Sequence, residues 1–133
     1  MRLILIGAAL GCAVMLSACN LTATAPTPAA TPDLPQVEFI SPLNGATIFP
    51  ETLLDIDIVA QDATAGITRI EFYVDGEMLE EGSPDSGQEA VFRVTMNWLT
   101  EGVGLHSLGV IAYRPDGTPS QETTIVVEVI ARQ

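Results

Sequence analysis

The chain has 133 residues, room for one domain. It carries 17 acidic residues against 5 basic ones, for a net charge of −12, and every basic residue is an arginine. Such a charge repels phosphate backbones and anionic lipid surfaces, which argues against nucleic-acid binding. With no lysine there is no phosphate-loop lysine, no Schiff-base chemistry and no serine–lysine dyad.

The N-terminus reads as an address. Met1-Arg2 precedes an uninterrupted apolar and small-residue run, Leu3–Leu16. A short charged start, a brief apolar region and small residues after it describe a secretory signal peptide. The run is short for a transmembrane helix, which needs about 20 residues. It ends in Leu16-Ser17-Ala18-Cys19, which resembles the lipobox of bacterial lipoproteins. The resemblance implies a diacylglyceryl group on the Cys19 sulfur and cleavage after Ala18. Loss of Arg2 with the signal peptide would leave 4 arginines against 17 acidic residues. Both cysteines, Cys12 and Cys19, precede the folded part, so no disulfide is expected within the domain. The stretch 20–35 is rich in Thr, Ala and Pro and is expected to be an extended spacer. The expected organisation is a signal peptide at 1–18, a lipidated cysteine and linker at 19–35, and one domain at 36–133.

The domain begins with Gln36–Ile40, where Val37 and Phe39 share a parity. Ser41-Pro42-Leu43-Asn44-Gly45 is a turn. Thr52–Gln61 alternates, with Leu54, Ile56, Ile58 and Ala60 on one side. Ile67–Gly76 alternates again: Ile70, Phe72 and Val74 against Arg69, Glu71 and Tyr73. Asp75-Gly76 then marks a tight hairpin, since both centres of a type I′ turn need positive φ. Glu77–Glu81 is the short acidic return, suited to an edge that must not pair with another chain. Gln88–Trp98 places Ala90, Phe92, Val94, Met96 and Trp98 inward. Leu105–Tyr113 puts His106, Leu108, Val110 and Ala112 on one side. Pro115-Asp116-Gly117 is a turn, and Ser120–Ala131 closes the fold with Ile125, Val127 and Val129 inward. No segment shows a helical period. About seven short strands argue an all-β, immunoglobulin-like Greek-key sandwich.

Three stretches carry a family resemblance: Pro42-Leu43-Asn44-Gly45, Ile70-Glu71-Phe72-Tyr73-Val74-Asp75-Gly76, and Gly104-Leu105-His106-Ser107-Leu108 ahead of Ala112. Together they resemble the bacterial immunoglobulin-like domains of secreted and surface proteins, often repeated in adhesins and polysaccharide-active enzymes. The resemblance places Gly104-x-His106-x-Leu108 where antibody-like domains carry their tyrosine corner. It therefore implies that His106 is a structural corner bonded to backbone.

Candidate chemistry is sparse. His106 is the only histidine, and no Gly-x-Ser-x-Gly elbow exists, so an enzyme is not expected. Asp55 and Asp57 share a strand face and are a candidate calcium pair, though a solvated face ranks ahead. Trp98 shares its parity with Phe92 and Met96, which favours core over a sugar platform. On the sheet expected to hold Ile67–Val74, Leu105–Tyr113 and Ser120–Ala131, the outward Tyr73, Ile111, Tyr113 and Val126 form a candidate contact face. Strand propensity alone also accounts for such residues, and it ranks ahead of contact. The expected function is non-enzymatic binding or adhesion, to an envelope protein or a glycan, outside the cytoplasm. The protein would be lipid-anchored to the cell or outer membrane, periplasmic or surface-exposed. The alternatives are a structural accessory lipoprotein of an envelope or export assembly, and a calcium-dependent adhesion module. No cofactor is expected beyond the lipid on Cys19, and the sequence leaves the oligomeric state open.

Overall fold

The computed structural model describes residues 25–133; Leu16, Ser17, Ala18 and Cys19 lie outside them. Residues 25–31 carry no helix or strand. The folded unit is Pro32–Gln133, so it starts before the Gln36 boundary expected from composition.

Eight strands form two sheets: β1 (Gln36–Ser41), β2 (Thr47–Ile48), β3 (Leu53–Gln61), β4 (Arg69–Val74), β5 (Glu77–Gly82), β6 (Val91–Leu99), β7 (Gly104–Tyr113) and β8 (Thr123–Val129). One sheet runs β1-β3-β6, the other β2-β8-β7-β4-β5. All pairings are antiparallel except β2 with β8. This is the expected immunoglobulin-like sandwich. β4, β7 and β8 share a sheet, as an immunoglobulin-like topology implies, and β4 lies between β7 and β5.

Alternation in each strand explains the core. Ile56, Ile58 and Ala60 of β3, Ile70 and Phe72 of β4, Met96 and Trp98 of β6, Leu108, Val110 and Ala112 of β7, and Val127 and Val129 of β8 are all buried. Each lies at every second position, so one face of each strand meets the other sheet. Ala90 departs from its inward assignment. It precedes β6 and is exposed, because regular pairing with β3 begins at Val91 opposite Gln61.

β2 is the element the alternation did not reveal. It is two residues long, too short for a period, and is set by its neighbours. The Gly45 N–H donates to the Val126 carbonyl (2.7 Å), and Val126 and Glu128 donate to the Asn44 side chain (2.8 Å) and the Ala46 carbonyl (2.9 Å). The turn at Leu43-Asn44-Gly45 thus covers the outer edge of β8.

Between β4 and β5, Asp75 and Gly76 have φ of 51° and 85°, the double positive φ that a type I′ turn needs. Phe72 pairs with Glu80 and Tyr73 with Met78, so Leu79 is extra and β5 is bulged. The register turns Glu80 toward the opposite sheet, where its carboxylate accepts the Asn97 N–H of β6 at 3.0 Å. That bond closes one side of the sandwich.

Candidate functional site

The outward face of the five-stranded sheet carries a network that spans two strands. β4 presents Arg69, Glu71 and Tyr73 at every second position. β7 presents Ile111 opposite Glu71 and Tyr113 opposite Arg69. Tyr113 is therefore a diagonal neighbour of Glu71, within reach of a long side chain. Both tyrosine hydroxyls donate to the same oxygen, Glu71 Oε2, Tyr73 at 2.6 Å and Tyr113 at 2.7 Å. Arg69 Nε donates to Glu71 Oε1 at 3.3 Å, and its guanidinium lies 3.7 Å from the centre of the Tyr113 ring. On the β5 side Glu81 stands directly opposite Glu71, and Arg69 lies 3.8 Å from Glu81. A like-charge pair across strands would be unfavourable, and Arg69 offsets it.

Glu71 is only 9% exposed although it points away from the core. Burial pushes its carboxyl upward, but the hydroxyls of Tyr73 and Tyr113 and the Arg69 charge outweigh that and hold it below the usual range. The tyrosines respond the other way. Tyr73 is raised by its hydrogen bond to Glu71 and then by burial; Tyr113 is raised by burial and then by Glu71. Both hydroxyls therefore stay protonated as donors. The two rings are held in one arrangement, flanked by half-buried Ile111.

Of the four residues read as a contact face, the structure joins Tyr73 and Tyr113 through Glu71 and sets Ile111 beside them. Val126 lies apart, on β8 opposite Ser107. Gly109 and Thr124 form the cross-strand step next to Tyr73, and the Glu122 carboxylate lies over Gly109. The network itself was legible in part. Arg69, Glu71 and Tyr73 share a parity, but the convergence on one oxygen depends on the β4–β7 register.

The other candidates are engaged locally. Asp55 accepts from the Asn97 amide at 2.6 Å and Asp57 from the Thr95 hydroxyl at 2.6 Å, each across to β6. Among the described residues no group of three or more His, Cys, Asp or Glu is placed to hold a metal ion. His106 Nδ1 lies 2.7 Å from Asp75 Oδ2, and its Nε2 lies 2.8 Å from the Gly102 carbonyl. Its ring meets Trp98 edge-on at 5.3 Å between centroids. Trp98 is 6% exposed, at the end of the core.

At the opposite end, Arg114 after β7 bonds Asp62 after β3, and lies 3.1 Å from Asp33, which precedes β1. Asp62 is 6% exposed, and its pairing with Arg114 holds its carboxyl below the usual range against the effect of burial. Both residues lie outside the strands expected from alternation, because an ion pair between two distant loops leaves no periodic trace.

Two packed sheets whose strands pair antiparallel, apart from β2 with β8, define an immunoglobulin-like sandwich. Residues 35–110, more than half of the chain, match the Bacterial Ig domain family, and the chain belongs to it. No curated protein matches the sequence. Among solved structures the chain is similar to the fibronectin(III)-like modules of CbhA from Clostridium thermocellum, with TM-score 0.61 and 23% identity over 74% of this chain and 100% of that one. It is also similar to the SrpA adhesin of Streptococcus sanguinis, with TM-score 0.56 and 16% identity over 77% of this chain and 60% of that one. A third is the endo-beta-1,4-mannanase of Thermotoga petrophila, with TM-score 0.54 and 14% identity over 74% of this chain and 20% of that one. At these identities the likeness is one of fold.

Proposed function

We propose that the protein is a non-enzymatic binding module, lipid-anchored through Cys19 outside the cytoplasm, that contacts an envelope protein or glycan through the Tyr73–Tyr113 face. The observation that carries this is the shared Glu71 oxygen. Two tyrosines are fixed by one buried carboxylate on the side of the sheet away from the core. Rigid aromatic rings lose little freedom when a partner covers them, and aromatic side chains are enriched at interface centres. Family membership supports a binding role, since immunoglobulin-like domains are generally non-catalytic, and the adhesin among the similar structures is consistent with it.

The test is affinity capture from native envelopes, together with a glycan array, using wild type and the Tyr73→Ala/Tyr113→Ala double variant. Truncation lets water solvate Glu71, so the fold should survive, which far-UV circular dichroism checks. The expected result is a partner recovered by wild type and reduced at least tenfold by the double variant. Equal recovery by a folded double variant overturns the reading. The anchor is tested separately, since Cys19→Ala should move the protein from the membrane to the soluble fraction; retention in the membrane would refute it.

A further inference from the structure

A groove of about 310 Å³ opens between the β4–β5 hairpin and the β6–β7 turn. It lies at the end of the sandwich opposite Pro32, because Trp98 pairs with Leu54 at the start of β3, whereas Gln36 pairs with Gln61 at its end. Its walls are apolar: Val74, Met78, Leu79 and Trp98. Its rim is acidic, with Glu77 from β5 and Glu101 from the β6–β7 turn. The His106–Asp75 pair completes the lining.

We propose that this groove receives a lysine or arginine side chain presented by an apolar segment of another protein. An apolar trough with a carboxylate rim suits a basic side chain, whose aliphatic stem lies on hydrophobic surface while its charged head stays at the polar edge. The volume is at the bottom of the range for ligand pockets, so it fits one long side chain better than an oligosaccharide. The rim charge is unspent. Asp75 is committed to His106 and to the Ser107 N–H, but among the described residues Glu77 and Glu101 form no ion pair. A second copy is a poor occupant, for two chains that each carry a net charge of −12 repel one another. The segment around the basic residue would be apolar, because the same end of the fold exposes Leu53, Leu99, Val103 and Leu105 beside the groove's own Met78 and Leu79. Charge complementarity would speed encounter and select the partner's register.

Trp98 is the only tryptophan, so its fluorescence reports on the groove directly. The probe is a nine-residue alanine–leucine peptide with one central lysine, titrated into the full chain in detergent micelles at low salt. The expected result is a saturable change in Trp98 emission, weakened at least tenfold when the lysine is acetylated and equally weakened in Glu77→Gln/Glu101→Gln. Both glutamates are exposed, so that variant should keep its melting temperature. Absence of a saturable response overturns the proposal. So does a response of equal strength with the acetylated peptide or with the double glutamine variant. The Tyr73→Ala/Tyr113→Ala variant should bind the peptide normally, which keeps this result separate from the fate of the aromatic face; a loss there would count against a distinct site.

Discussion

His106 faces an acceptor at each ring nitrogen: the Asp75 carboxylate at Nδ1 and the Gly102 carbonyl at Nε2. Neither partner can donate, so only the doubly protonated ring satisfies both. The hydrogen bond to Asp75 raises the His106 pKa first, the Gly102 bond adds to it, and burial opposes both. Because the folded value exceeds the unfolded one, near 6.5, the stabilisation is complete below that pH and is lost as pH rises through the folded value. Asp75 behaves in the opposite sense. Burial raises it, but His106 and the Ser107 N–H lower it further, so its contribution fades only in acid. We therefore expect the melting temperature to fall as pH rises above about 6.5. That fall should vanish in His106→Phe, which packs on Trp98 but cannot ionise. A pH-independent melting temperature in wild type would contradict the paired geometry. The family resemblance at Gly104-x-His106-x-Leu108 implies a backbone partner, and the Gly102 carbonyl is one. Asp75 was visible only as a turn residue, because its meeting with His106 depends on two turns lying at the same end of the sandwich.

At the level of the strand, period-two alternation, with the Asp75-Gly76 turn for β5, located the seven longer strands and nearly all the core. The same signal is blind to what lies outside the alternation. β2 has two residues and no period, and Glu71 sits on the outward parity yet is buried by neighbours on its own face. β5 shows how an edge is protected. Its inward positions include Glu80, whose carboxylate caps the Asn97 N–H, and charge turned inward on an edge strand discourages pairing with another chain. Gly82, at the end of β5, and Gly109, inside β7, make a sharp comparison. A Cβ on Gly82 would lie 2.9 Å from Met96 Cε and 3.1 Å from Val94 Cγ2, side chains packed in or against the core. We expect Gly82→Ala to cost about 1–3 kcal/mol, the usual range for overpacking. A Cβ on Gly109 would lie 2.2 Å from Glu122 Oε1, an even closer approach. But Glu122 is an exposed, flexible side chain whose end can swing away. Alanine in a strand recovers roughly 0.5–1 kcal/mol of backbone entropy relative to glycine, so Gly109→Ala should be neutral or slightly stabilising. Chemical denaturation of both variants checks the order, and a costlier Gly109→Ala would contradict it.

Across the described residues, several edges of the sandwich are closed by a specific contact rather than by more core. Residues 44–48 cover β8, Glu80 bridges β5 to β6, and the Thr123 hydroxyl donates to the Val37 carbonyl at 2.7 Å, tying β8 to β1. At the end where the chain enters the folded unit, Arg114 links the loop after β3 to Asp33. Composition hid this docking, since Asp33-Leu34-Pro35 reads as the tail of a Thr/Ala/Pro spacer. Yet Pro35 is buried and Asp33 lies within bonding distance of Arg114. The two carboxylates that Arg114 meets differ in surroundings, and that difference sets the expected outcomes. Asp33 is well exposed, and a solvated ion pair contributes little, so Asp33→Asn should change stability by less than about 1 kcal/mol. It should still raise the rate at which a protease cuts near Leu34, because the tie to Arg114 is weakened. Asp62 is buried, and removing Arg114 leaves its charge without an ion pair, held only by backbone N–H groups such as that of Thr64. Arg114→Ala should therefore lower the melting temperature far more than Asp33→Asn, and more than Arg93→Ala, an arginine on the outward face of β6. The deficit should shrink in the Arg114→Ala/Asp62→Asn double variant, in which no unpaired charge is buried. Thermal unfolding of the four variants against wild type decides it. Equal losses for Asp33→Asn and Arg114→Ala would mean that the docked segment, not the buried carboxylate, is what Arg114 stabilises.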